Sequence, residues 1–164
     1  ILTAAHCVTQ CSQPYDWYGE CRVSDPGFTY VTVGTSDPRT TTIFNASQII
    51  VHPDYHTDQA PEADIAVIQL RTPLTYSKEV QPIKIYTGQI ADNAAAQVIG
   101  WGQIEEGQSP TASAPYEADI RMSNDRQLCN VVEGLNFQNS NGPLICSAKD
   151  NYKGPCLGDS GGPL

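Results

Sequence analysis

The chain has 164 residues, of which 18 are acidic and 9 basic, for a formal net charge of −9; 40% are hydrophobic and 16% charged. That length suits one ordinary domain or two small ones, and the apolar fraction is enough for a packed core. The acidic balance argues against a nucleic-acid surface, whose affinity comes from clustered basic groups. No apolar run approaches the roughly 18 residues of a membrane span, so no membrane partner is expected.

The opening ILTAAHCVTQ has no basic leader and no long apolar stretch, so it does not read as a signal peptide. It begins on Ile1, in what reads as the middle of a strand, and the sequence is therefore read as a fragment. Short apolar or alternating runs follow in chain order: FTYVTVG (28–34), TIFNASQIIVH (42–52), DIAVIQL (64–70), AAQVIGWG (95–102), YEADIRM (116–122) and GPLICSA (142–148). These predict strands. Turn residues punctuate them at Pro26-Gly27, Asp37-Pro38, His52-Pro53, Thr72-Pro73, Ser109-Pro110 and Asn141-Gly142-Pro143. The best helical candidate is SNDRQLCNVV (123–132), with Ser123 or Asn124 as its cap. The expected class is all-β.

Six cysteines point to disulfides and an oxidising, extracellular compartment. The triplet Asn45-Ala46-Ser47 fits an N-glycosylation acceptor and agrees with secretion. Cys11 and Cys21 are spaced for a local disulfide. A zinc site of His6, Cys7, Cys11 and Cys21 is the rival, but its spacings fit no common closed site. No metal and no cofactor are expected.

The chain closes on KGPCLGDSGGPL. A serine hydroxyl becomes a nucleophile only with a base, a group that orients the base, and donors for the developing oxyanion. Glycines around Ser160 allow successive N–H groups to face one concavity, with Gly158 and Ser160 as the natural donors. A Gly-rich turn with an incidental serine is the ordinary alternative. Gly158, Ser160 and Gly162 also fit the nucleophile elbow of α/β-hydrolases. That elbow follows an apolar strand and has its acid and histidine downstream, whereas NYKGPC precedes Ser160 here and only four residues follow it.

The base is therefore sought upstream. His52 and His56 sit in a polar strand end and read as surface or structural residues. His6 follows an apolar strand and two alanines, although a core histidine would look the same. Asp64 opens an apolar run, where a carboxylate is costly unless hydrogen-bonded, and a histidine N–H is a suitable partner. A strand-end cap is the alternative for Asp64.

Together, LTAAHC, DIAVIQL and GDSGGPL, in the order His–Asp–Ser, resemble the chymotrypsin/trypsin family of serine endopeptidases. IIVHPDY, IGWGQ and SNDRQLC resemble further segments of that family, so the likeness runs along the chain. It implies two antiparallel β-barrels of the trypsin-like fold, incomplete at both termini: residues 1–75 as part of the first, 76–94 as a linker, and 95–164 as part of the second. It implies Ser160 as nucleophile, His6 as base, Asp64 as orienting acid, and the N–H groups of Gly158 and Ser160 as oxyanion hole. Asp159 becomes the partner of an activated N-terminus, in a zymogen-derived enzyme.

The resemblance also pairs Cys129 with Cys146 and sends Cys7 and Cys156 to cysteines outside the chain. Ala96 stands where a further family cysteine is expected. The resemblance places Gly154 at the base of the specificity pocket, with Pro155 and Leu157 nearby. The simplest reading of the missing aspartate is a preference for apolar side chains, chymotrypsin- or elastase-like, although some family members with glycine here place an acid elsewhere in the pocket. The insertion 8–27, with Tyr15, Trp17 and Tyr18, is expected to rim the cleft or to be an ordinary surface loop. Partners implied are protein or peptide substrates and protein inhibitors. The fragment alone is expected to be inactive. The alternative from another class is a non-catalytic homologue acting as a binding or regulatory protein, and the presence of His6, Asp64 and Ser160 speaks against it.

Overall fold

The computed structural model describes residues 1–11, 21–37, 39, 42–55, 63–105, 107, 114–130, 137–142, 144–148 and 153–164. The chain divides into two compact units, Ile1–Ile83 with Thr111–Ala114, and Lys84–Pro110 with Pro115–Leu164.

The first unit is built on an antiparallel sheet of four strands in the order β1 (Leu2–Thr3), β6 (Ala66–Leu70), β5 (Ile43–Val51) and β4 (Tyr30–Thr32). Strands β2 (Thr9–Cys11) and β3 (Cys21–Val23) form a separate antiparallel pair. In β6 the period of two is plain: Ala66 and Ile68 are buried while Val67 and Gln69 are exposed. The buried face meets Ala46 and Ile49 of β5, and Ala5 and Val8 from a 3₁₀ turn spanning Ala5–Val8, in one apolar cluster. Around Ser47 the register of β5 on β6 slips, a β-bulge, and the Ser47 hydroxyl donates to the carbonyls of Gln69 and Leu70.

Two of the expected strands are shorter than their sequence patterns. ILTAAHC forms β1 over two residues only and then enters the 3₁₀ turn that carries His6. FTYVTVG gives only β4. Its first residue closes a 3₁₀ turn, Pro26–Phe28, because the Asp25 side chain caps it by accepting from the Gly27 N–H.

In the second unit, β7 (Ala95–Gly100) and β8 (Tyr116–Arg121) pair antiparallel along their whole length. A single helical turn, α1 (Arg126–Cys129), follows. Its cap is Asp125, which accepts from the N–H groups of Gln127 and Leu128, and not Ser123 or Asn124. Both of those are engaged elsewhere. The Asn124 side chain accepts from the Ser140 N–H and the Ser123 hydroxyl accepts from the Asp125 N–H, while the Ser123 carbonyl accepts from the buried Ser140 hydroxyl. The Ser140 oxygen in turn accepts from the Cys146 N–H. Among the described residues of GPLICSA the bridge is Ser147 with Met122, in place of the expected strand.

Cys129 and Cys146 form a disulfide, 17 residues apart in sequence. Closing a loop of that size restricts the unfolded chain and contributes about 3 kcal/mol. The double substitution Cys129→Ser with Cys146→Ser is expected to lower the unfolding free energy by that amount in a urea titration. An unchanged midpoint would show that the hydrogen-bond network around Ser140 holds the segment without the covalent link.

Candidate active site

Strand pairing brings His6 into the neighbourhood of Asp64. Thr3 of β1 is the register partner of Ala66 of β6, so the residues three past Thr3 and two before Ala66 leave the sheet at the same edge. Ala5 and Val8, buried on either side of His6, fix the 3₁₀ turn and leave the imidazole facing outward. The contact has two points. The His6 backbone N–H donates to Asp64 Oδ1 at 2.8 Å, and His6 Nδ1 lies 2.6 Å from Asp64 Oδ2. One carboxylate thus holds both the main chain and the ring of the histidine. The ring is half exposed and the carboxylate largely covered, with side-chain accessibilities of 48% and 23%. Ala63, just before the aspartate, sits at φ 57°, a left-handed conformation uncommon for a residue with a Cβ. Backbone strain of this kind clusters at active sites, ligand clamps and switch regions.

With Nδ1 held by the carboxylate, Nε2 is the nitrogen left for proton transfer. The sulfur of Cys7 lies 3.5 Å from it. Burial pushes the Cys7 thiol above its ordinary range, and the nearby Asp64 carboxylate pushes in the same direction. Of the other histidines, His52 accepts from the Asp54 N–H through Nδ1 and so organises its own turn. His56 lies outside the described residues.

Ser160 is exposed, on a run of two tight turns. The Asp159 N–H donates to the Cys156 carbonyl, and the Gly162 N–H donates to the Asp159 carbonyl. Gly158 at φ 100° and Gly161 at φ 77° occupy backbone regions that disfavour other residues, so the turns depend on those glycines. Asp159 is pinned at both oxygens. Its Oδ1 accepts from the Gly102 N–H at 2.8 Å and its Oδ2 from the Cys156 N–H at 2.9 Å. Sequence reasoning did not find this role for the stretch around Gly102. Its signal is the pair of glycines flanking Trp101.

Among the remaining candidates, Pro155 lines an apolar cavity of about 250 Å³ together with Val98, Ile120, Met122, Ile145 and Leu164. Gly154 and Leu157 are exposed. Asn45 is exposed on β5, opposite Tyr30 of β4. Cys21 is disulfide-bonded, which withdraws its sulfur from the zinc set considered above, and the β2–β3 register puts Cys11 opposite it. No helix among the described residues is long and apolar enough to cross a membrane.

Comparison with known proteins gives a consistent picture. A model described as "Trypsin" matches residues 1–164. The chain is 34% identical over 173 residues to ovochymase of Halocynthia roretzi, covering 100% of this chain and 10% of that protein. It is 30% identical over 164 residues to trypsin alpha of Drosophila melanogaster, covering 100% of this chain and 58% of that protein. Trypsin delta of the same fly is 29% identical, with 59% of it covered. Among solved structures, neuropsin, a serine protease expressed in the limbic system of mouse brain, superposes with a TM-score of 0.74 at 21% identity, over 99% of this chain and 66% of that one. This last likeness shows the fold, which is mostly β with curled sheets of the trypsin-like kind.

Proposed function

The chain belongs to the trypsin family, and from that premise we propose that it carries the catalytic machinery of a secreted serine endopeptidase. The observation that supports this best is the two-point grip of Asp64 on His6, through the backbone N–H and through Nδ1. That grip selects the tautomer with hydrogen on Nδ1 and a lone pair on Nε2, the form a general base requires.

In this reading Ser160 Oγ forms a bond to the scissile carbonyl carbon as its proton passes to His6 Nε2. The carbonyl electron pair moves onto oxygen, where the N–H groups of Gly158 and Ser160 receive it. Collapse breaks the C–N bond, and His6 hands its proton to the leaving amine. Water then repeats the sequence on the acyl-enzyme and releases the acid. Asp64 stabilises the imidazolium throughout without taking the proton itself. This chemistry is the family's own, and the assignment of Ser160 to it rests on the family motif GDSGG. Asp159 is assigned the pairing with an activated N-terminus.

Gly154, with Pro155 and Leu157, is assigned to the pocket that receives the side chain before the cleaved bond. Glycine supplies no charge there, so apolar side chains are preferred over Lys and Arg. Substrates are proteins or peptides, and protein inhibitors that mimic them are the expected regulators. Cys7 and Cys156 are assigned to disulfides with cysteines beyond these residues, and Asn45 to a glycan.

The test is treatment of the natural processed protein with a serine-directed phosphonate, followed by a peptide library. Covalent labelling at Ser160, and cleavage after apolar residues at least tenfold faster than after Lys or Arg, is the expected result. A correctly folded protein that is not labelled would instead be a binding or regulatory member of the family. Preferential cleavage after Lys or Arg would remove the role given to Gly154.

A further inference from the structure

We propose that Gly100 and Gly102 are positioning residues for the nucleophile turn, two places of bare backbone that together seat the Asp159 carboxylate. The proposal rests on the reading of Ser160 as nucleophile for its kinetic consequence, but the seat itself is a matter of geometry. A Cβ placed on Gly100 would stand 2.0 Å from Asp159 Oδ1 and 2.8 Å from its Cγ. One placed on Gly102 would stand 2.5 Å from both atoms. These separations are far inside van der Waals contact, so neither position accepts a side chain while the carboxylate stays where it is.

Backbone freedom is not the reason for glycine at either position. The described glycines with positive φ are Gly34, Gly107, Gly158 and Gly161, and neither Gly100 nor Gly102 is among them. What the two positions require is space. The carboxylate cannot simply rotate away, because its oxygens are held by the N–H groups of Gly102 and Cys156. Gly102 is buried, so an acceptor withdrawn from its N–H is not replaced freely by water. A third bond, from the Gln103 N–H to the Leu157 carbonyl, ties the same two stretches together. The segment from Gly100 to Gln103 therefore acts as a template against which the turn 156–162 is set. Displacing Asp159 displaces the residue next to it, Ser160, and its N–H.

The experiment uses Gly100→Ala and Gly102→Ala in the natural processed protein, with Gly142→Ala as control. A Cβ on Gly142 would meet only the Asn139 carbonyl at 3.5 Å, an ordinary contact. Both test variants are expected to react with a phosphonate about 10²-fold more slowly, the cost of misplacing a reacting group by about 1 Å. The loss should fall on kcat, with KM for a peptide substrate little changed, and the control should match the wild type. Amide hydrogen exchange gives a readout independent of activity: the Gly102 N–H is protected in the wild type and exchanges faster in Asp159→Ala. Wild-type reaction rates in Gly100→Ala, or an unprotected Gly102 N–H in the folded wild type, overturn the proposal. If an alanine variant does not fold, Asp159→Ala is added to remove the overlap. A double variant that regains the fold supports the seat, and one that does not, where Asp159→Ala alone folds, overturns it. A wild type that is never labelled defeats the functional reading, while the exchange result still decides the seat.

Discussion

Replacing Ser160 with alanine is expected to lower kcat for peptide hydrolysis about 10⁶-fold in the natural processed protein, the loss seen when the nucleophile of a comparable serine protease of unrelated fold is removed. The alanine methyl cannot attack a carbonyl, so the acyl-enzyme route closes entirely. Donors to the oxyanion remain, because they are backbone N–H groups, and a residual acceleration of about 10³–10⁴ over water should persist. Ser160 is exposed, and its removal leaves the glycine turns and the Asp159 contacts as they are. The melting temperature is therefore expected to stay within a degree or two of wild type, which separates lost chemistry from lost structure. Steady-state kinetics on a fluorogenic peptide, paired with a thermal melt, measures both. A variant that keeps a tenth of the activity would take the nucleophile's role away from Ser160.

The second large effect is expected at Asp64→Asn, with kcat falling about 10⁴-fold near neutral pH. That magnitude belongs to the family's own template enzyme and is carried over to this chain; the reason is visible in the contacts here. Asp64 offers two acceptors, one to the His6 backbone N–H and one to Nδ1. An asparagine has only one. Its oxygen must stay with the backbone N–H, which can only donate, so its NH₂ group turns to Nδ1. Nδ1 then has to accept, and the ring proton moves to Nε2, which can no longer take a proton from a hydroxyl. The fold should survive, since the main-chain hydrogen bond is kept. Kinetics against pH supplies the check: activity should return at high pH, where hydroxide can replace the lost base. An Asp64→Asn enzyme with wild-type rates at neutral pH would show that the ring is oriented by some other group.

Much of this is legible in the order of residues alone. The neighbourhood of His6 and Asp64 is legible because His6 closes one apolar run and Asp64 opens another, and β1–β6 pairing then brings them together. The class is legible in the alternation of segments such as Ala66–Leu70 and in the glycines and prolines between them. Boundaries are less so. Asp125 takes the cap of α1 while the Ser123 hydroxyl accepts from the Asp125 N–H and the Asn124 side chain is drawn to Ser140, a residue whose hydrogen bonds span 16 and 17 positions and leave no local trace. The same holds for Gly102 and Asp159, which meet across 57 positions. A glycine announces that something requires room or freedom. Only the folded chain says which, and here Gly158 and Gly161 need freedom while Gly100 and Gly102 need room.

Strand β1 is two residues long, and its shortness has a consequence for aim. So brief a ladder offers little resistance to sliding, and a one-residue shift along β6 would carry the imidazole about 3.3 Å off target and turn it to the opposite side of the sheet. The safeguard against that slippage is steric. Ala5 is fully enclosed and Val8 nearly so, and they act as a detent that lets the segment rest at one setting only. The setting of the imidazole is thus shared between two small aliphatic side chains and the carboxylate that grips it.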